Sequence, residues 1–230
     1  MNIFYSDNID SNTIQLSKTE SHHCMHVMRM KLNDIVQVLD GNGNRYTCKI
    51  INNKKVTTLD IIKKDYFSKK NFSTHIGICP TKSHDRIDWF VEKSVELGID
   101  EISFIKTERT ERKKINFNRI NKIAISAMKQ SGQYYLPRVN DLLPFDKIIE
   151  QAKGKELFIA HVDNLKEKLV TLYSPGKDSY ILIGPEGDFT SAEVDFARSN
   201  NFKSISLGDS ILRTETAAVH CISLIRALNE

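Results

Sequence analysis

Two stretches of this 230-residue chain combine glycine-bearing turns with charged side chains. Residues 181–194 read ILIGPEGDFTSAEV and residues 206–219 read SLGDSILRTETAAV. Each runs from an apolar strand through a polar turn into a helix start. Gly184, Gly187 and Gly208 let the backbone come close to a ligand, while Glu186, Arg213 and Glu215 add two carboxylates and a guanidinium. Neither turn is a phosphate loop: GxxxxGK[ST] is absent and GPEGDF lacks GxGxxG. A phosphate-free ligand taken by backbone hydrogen bonds and a snug apolar wall suits them better, and an adenosine attached to a sulfur meets that description. Thr190 and Glu193 in TSAE have the spacing of a capping box, which is a structural role.

The elements that position these turns alternate strand and helix from residue 74 onward: THIGICP, RIDWFVEKSVELG closed by Gly98, IDEISFIKT, NFNRINKIAISAMKQSGQ, a loop YYLPRVNDLLP, then FDKIIEQAKG, ELFIAHVD, NLKEKLVTLY, YILIGPE, SAEVDFARSNN, SISLG and TETAAVHCISLIRALNE. Such alternation predicts an α/β domain with a mostly parallel sheet. In open sheets of that kind ligands sit past the carboxyl ends of the strands, where both turns fall. Residues 1–72 read differently, as short alternating β runs with a DGNG hairpin at residues 40–43, hence a small barrel or curled sheet. SHHCMHVMRMK predicts a helix with Cys24, Val27 and Met28 on one face. The charged, patternless segment 63–73 marks the boundary, giving domains 1–72 and 73–230. Trp89 and Phe90 are expected in the core.

Charge is unevenly placed. Residues 1–72 hold 11 Lys/Arg against 7 Asp/Glu, and residues 102–140 hold 9 against 2. Two basic zones fit a polyanionic partner or a pair of solvated faces. No apolar run reaches the ~20 residues that span a bilayer, and the start lacks the basic and apolar regions of a secretory signal. Four scattered cysteines without a CxxC pair suit reduced thiols in a cytoplasm. His22 and His26 lie one helical turn apart in HHCMH, but no second cluster completes a ligand set, so no metal is expected.

These segments together resemble the SPOUT class of S-adenosylmethionine-dependent RNA methyltransferases, and within it the family that methylates N3 of a uridine in bacterial small-subunit (16S) ribosomal RNA. The paired GPEG and LRTETA carry the resemblance. HHCMHVMRMKLNDIVQVLDGNG is similar to that family's N-terminal PUA-like barrel, and KSHDRIDWFVEKSVELGIDEISFIKTERT and AMKQSGQYYLPRV to its middle segments. The resemblance implies a C-terminal trefoil-knotted α/β domain, a homodimer and an S-adenosylmethionine pocket of three loops. On this chain the loops comprise Ala160, then Ile183, Gly184, Pro185 and Gly187, then Leu207, Gly208, Ile211, Leu212, Arg213, Thr216 and Ala217. It also implies ribosomal RNA or the small subunit as partner, with Arg29, Lys31 and Arg45 facing RNA from the first domain and Arg109, Arg112, Lys113 and Lys114 from the second.

The reaction so implied joins a ring nitrogen to a methyl on a sulfonium. Arg213, which stays protonated, suits charge stabilisation; Glu186 and Glu215 are the carboxylates near enough to accept the N3 proton, and the sequence does not rank them. Glu215 also reads as a first-turn acid that complements the helix dipole. Two positions depart from the family pattern: Asp188 stands where Gly-Pro-Glu-Gly-Gly has its last glycine, and QSGQYY lacks the arginine common after Gln-Ser, which removes Gln133 from the candidates. The alternatives are a ribose 2′-O-methyltransferase, a non-catalytic RNA-binding protein of the same fold, and a nucleotide-dependent oxidoreductase, the last disfavoured by the missing fingerprint.

Overall fold

Alternating apolar residues fold the N-terminal segment into a curled five-stranded sheet. The computed structural model describes residues 2–152, 154–162 and 167–230. Strands β1 (Ile3–Tyr5), β2 (Thr13–Gln15), β3 (Ile35–Leu39), β4 (Asn44–Asn53) and β5 (Thr57–Tyr66) lie in the order β1-β3-β4-β5-β2, antiparallel except for β1 against β3. Register shifts in the β4–β5 pair at Thr47/Cys48 and Ile50/Asn52 bend the sheet, wrapping it around Phe4, Ile14, Val36, Val38, Cys48, Ile50 and Leu59. The DGNG turn joins β3 to β4 as expected: Asp40 Oδ1 accepts the amides of Asn42 and Asn44, and Gly41 and Gly43 have φ of 73° and 90°. Strand β5 runs to Tyr66, so the first part of the segment read as patternless is sheet.

The helix expected over SHHCMHVMRMK is divided. Helix α1 (Lys18–His22) passes into a π-helical turn, His23–Val27. The wider turn changes the angle between successive side chains. Cys24 is buried, but Val27 and Met28 turn outward, 60% and 39% exposed.

From Lys70 the chain builds a six-stranded parallel sheet: β6 (Thr74–Ile78), β7 (Glu101–Lys106), β8 (Arg138–Pro144), β9 (Glu156–Ala160), β10 (Ser179–Ile183) and β11 (Lys203–Ile205), in the order β11-β9-β10-β6-β7-β8. Helices α2 (His84–Glu96), α3 (Phe117–Ser131), α4 (Phe145–Gln151), α5 (Leu169–Leu172), α6 (Ser191–Ser199) and α7 (Thr214–Ala227) connect or follow the strands. Both faces of the central strands are covered, which is why β6 and β10 are buried along their whole length. Strand β8 falls in the segment read as a loop; it is an edge strand, half wet, so its pattern is weak. Of the helix expected over residues 164–173, residues 164–166 lie outside the described residues. Phe90 is fully buried but Trp89 is 42% exposed, because adjacent helical residues point about 100° apart and cannot share one buried face.

Residues cluster into two compact units, one running up to Lys69 and including Ile125–Leu136, the other comprising Lys70–Ala124 and Pro137–Glu230. The division lies near residue 70, against an expected 72/73, and the inclusion of residues 125–136 in the first unit has no counterpart in the sequence reading. No described helix is long and apolar enough to cross a membrane.

Candidate active site

The loops after β9, β10 and β11 meet at the carboxyl ends of their strands, and together with the start of α7 they wall one cleft of about 590 Å³. Its lining contains Ala160, Ile183, Gly184, Pro185, Glu186, Leu207, Gly208, Ile211, Leu212, Arg213 and Ala217. Three loops separate in sequence thus line one cleft. Gly187 and Thr216 do not line the cleft; Gly187 uses its carbonyl to accept a hydrogen bond from Arg109 Nη1 at 2.6 Å, and Thr216 is exposed on α7. The sequence reading missed His161, Val162, Ser206 and Asp209, which the cleft lining includes. Position directly after β9 and β11 is the signal that could have found them.

The GPEG turn is closed by the Asp188 amide donating to Pro185 O at 2.9 Å. Asp188 sits in the left-handed region, φ 61°, the conformation that a glycine adopts most easily. Its carboxylate compensates: Oδ2 accepts the Val162 amide and Oδ1 the Phe189 amide, each at 2.8 Å. Asp188 therefore fastens the loop after β10 to the loop after β9. Beyond it, Thr190 and Glu193 form the expected capping box of α6, and Glu193 also accepts the Glu108 amide at 2.8 Å.

The two candidate carboxylates differ in environment. Glu186 is on the cleft wall, its side chain 34% exposed, and its Oε1 accepts the Lys82 amide at 3.1 Å. Glu215, in the first turn of α7, is 6% exposed and is not among the lining residues. Arg86 of α2 stands by both, Nη1 4.0 Å from Glu186 Oε1 and Nε 3.6 Å from Glu215 Oε1. Arg213 caps α7 from an extended conformation without a side-chain bond to the helix, leaving its exposed guanidinium at the cleft. Thr214 Oγ1 donates to Gly184 O at 3.1 Å, tying the second motif to the first.

The basic residues separate into two groups. Arg109 and Arg112 are bound to main-chain carbonyls, Arg112 donating to Thr81 O at 2.7 Å and to Lys82 O. Arg45 pairs with Asp65 at 3.2 Å and lies 5.0 Å over the Phe67 ring. Arg29, Lys31, Lys113 and Lys114 are exposed, and Arg29 has φ 55°. His22 and His26 pack ring to ring at 4.7 Å; among the described residues no group of three His, Cys, Asp or Glu is placed to hold a metal. All four cysteines are free and buried, and burial pushes the Cys48 and Cys79 thiols up to about 12, so neither is a ready nucleophile.

A parallel α/β sheet with an apolar cleft at its carboxyl edge, a guanidinium and a carboxylate at the rim, and a separate basic β unit defines a cofactor-binding enzyme of the RNA-modifying kind. The chain belongs to the RNA methyltransferase family: its RNA methyltransferase domain model matches residues 68–226, and the RNA methyltransferase PUA domain matches residues 16–60. A Buchnera aphidicola protein named ribosomal RNA small subunit methyltransferase E is 30% identical over 237 residues, covering 98% of this chain and 92% of the relative. A probable rRNA-methyltransferase from Porphyromonas gingivalis superposes with a TM-score of 0.93 at 34% identity, covering 100% of this chain and 98% of that one. The Neisseria gonorrhoeae ribosomal RNA small subunit methyltransferase E, solved bound to S-adenosyl methionine, superposes with a TM-score of 0.88 at 26% identity, over 100% and 98% of the two chains.

Proposed function

We propose that this protein is a cytoplasmic, homodimeric, metal-independent methyltransferase that uses S-adenosylmethionine to methylate N3 of a uridine in small-subunit (16S) ribosomal RNA. The observation that carries the reading is the single cleft built from the loops after β9, β10 and β11. Its volume lies within the usual range for a ligand of this size, and Ala160, Ile183, Leu207, Leu212 and Ala217 supply an apolar wall beside main-chain groups of Gly184 and Gly208. These residues suit an adenosine; Asp188, Glu186 and Arg213 supply the polar rim. The relatives support the same reading, one by its bound S-adenosyl methionine and others by their names.

When bound, S-adenosylmethionine supplies a methyl group on a positively charged sulfonium. The chain's own part is to orient the uridine and manage its N3 proton. Arg213 offsets negative charge on the base carbonyls and, remaining protonated, is a poor base. Glu186 takes the N3 proton, since it reaches the cleft and Glu215 does not. Positioning accounts for much of the remaining rate. Exposed Arg29, Lys31, Lys113 and Lys114 contact RNA phosphates. Ile211 and Val162, 82% and 65% exposed at the cleft, suit cover by a second subunit. The knot expected of the C-terminal domain is part of the proposal, supported by the excursion of β11 beyond β9 and the return of Thr214 to Gly184.

Calorimetry with S-adenosylmethionine, followed by methyl transfer to 16S ribosomal RNA and to small subunits with nucleoside mapping, tests the proposal. Absence of binding at millimolar cofactor removes the enzyme reading, and methyl on a ribose oxygen replaces it with the 2′-O reading.

A further inference from the structure

Arg86 lies in the first turn of α2, where the positive end of the helix dipole disfavours a cation. Its guanidinium nevertheless stands between two carboxylates from different elements, Glu186 in the turn after β10 and Glu215 in the first turn of α7, at 4.0 and 3.6 Å. These are ion-pair rather than hydrogen-bond separations, a looseness common in sites that tighten when substrate arrives. Glu215 is buried, and among the described residues its Oε2 has no hydrogen-bond partner. A first-turn acid that served only the helix dipole would gain nothing from burial beside Arg86. The Lys82 amide donates to the same Glu186 Oε1 that faces Arg86. Only a branched, planar cation offers Nε to one carboxylate and Nη1 to another; a lysine ammonium is a single point.

We infer that Arg86 is a positioning residue for methyl transfer: anchored from behind by Glu215, it holds Glu186 on the cleft wall where the uridine proton is taken. This rests on the function proposed above. The proton passes from uridine N3 to a Glu186 carboxylate oxygen and leaves to solvent, and Arg86 is not consumed or changed. Glu215 does not act on the substrate; it keeps Arg86 in place.

The test compares wild-type protein with Arg86→Gln, Arg86→Lys and the double variant Arg86→Gln/Glu215→Gln, each with full-length 16S ribosomal RNA or small subunits. The readouts are thermal unfolding, S-adenosylmethionine Kd by calorimetry, and kcat separately from KM. Arg86→Gln leaves Glu215 unpaired and lowers stability, whereas the double variant also neutralises Glu215 with its near-isosteric amide and recovers part of it. The expected result is that kcat stays down by about 10²-fold in both, with cofactor Kd little changed, and that Arg86→Lys recovers part of the rate. A double variant that turns over at the wild-type rate overturns the inference, since Arg86 would then serve the fold alone. So does an Arg86→Gln effect confined to KM. An inactive wild-type protein would remove the functional reading, and this inference with it, and is told apart by the wild-type arm.

Discussion

The Val162 amide donates to Asp188 Oδ2 at 2.8 Å, so two loops of the cleft are fastened together by a side chain that a glycine at that position could not supply. Asp188 tolerates φ 61° because its own carboxylate is satisfied by Val162 and Phe189. Asp188→Gly loses those bonds and relieves the backbone, terms of about 1 kcal/mol each that nearly offset. Asp188→Ala loses the bonds and keeps the strain. Thermal unfolding should show a Tm drop of roughly 2–4 °C for alanine and a much smaller one for glycine; equal drops would mean that the left-handed backbone at this position costs nothing.

Gly184 leaves little room for a side chain. A Cβ there would stand 3.1 Å from the Phe189 ring and 3.3 Å from Asp188 Oδ1, and Phe189 is packed into the core with Phe145. Gly184→Ala should cost about 1–3 kcal/mol in overpacking and displace the loop, weakening S-adenosylmethionine binding by about tenfold. Calorimetry beside thermal unfolding checks both, and unaltered affinity would show that this backbone does not touch the cofactor.

At the opposite, amino-terminal end of the sheet His75 stacks on Tyr180 at 3.8 Å with Ser103 Oγ 2.8 Å from its Nε2. Burial holds its pKa far below the ordinary 6.5, with Lys155 and Arg138 acting in the same sense against Glu101. The unfolded chain therefore takes up a proton that the folded chain refuses. Stability from this site is full above about pH 6.5 and is lost as pH falls, by about 1.4 kcal/mol per unit. Denaturant unfolding from pH 7 to about pH 5 should show that slope in the wild type and a flatter one in His75→Gln. Parallel curves would place the imidazole proton elsewhere.

The basic residues divide by what they already hold. Lys113→Ala/Lys114→Ala should weaken RNA binding uniformly and reduce the salt slope by about two contacts, with Tm unchanged. Arg45→Ala should do the reverse, lowering Tm through loss of the Asp65 pair and the packing on Phe67. Salt-dependent binding to 16S ribosomal RNA separates the two, and a reversed pattern would reassign Arg45 to the RNA surface.

Legibility in the sequence followed the reach of each signal. Strand–helix alternation and the two glycine turns are local, so the parallel sheet and most of the cleft could be read from them. The DGNG turn and the Thr190–Glu193 box were equally plain. Edge strand β8 was not, because a half-wet strand between Pro137 and Pro144 has no clean period. Arg86 was hidden by its helix: RIDWFVEKSVELG reads as one amphipathic segment, and only a cation at the wrong end of the dipole hinted at another task. Asp188 could be seen to depart from the pattern, but its Val162 partner is 26 residues away and belongs to another loop.

In the N-terminal unit the chain returns late. Gly43 donates to Tyr134 O at 3.0 Å, Leu136 donates to Gly41 O at 2.9 Å, and Tyr134 stacks on Phe67 at 3.6 Å. A polypeptide emerging from the ribosome therefore has no finished first unit when residue 72 appears. It must wait for about sixty more residues, through four further elements, before the DGNG turn finds its cover. During that interval the ring of Phe67 and the main chain of Gly41 and Gly43 are without these partners, which makes the order of synthesis part of how this unit closes.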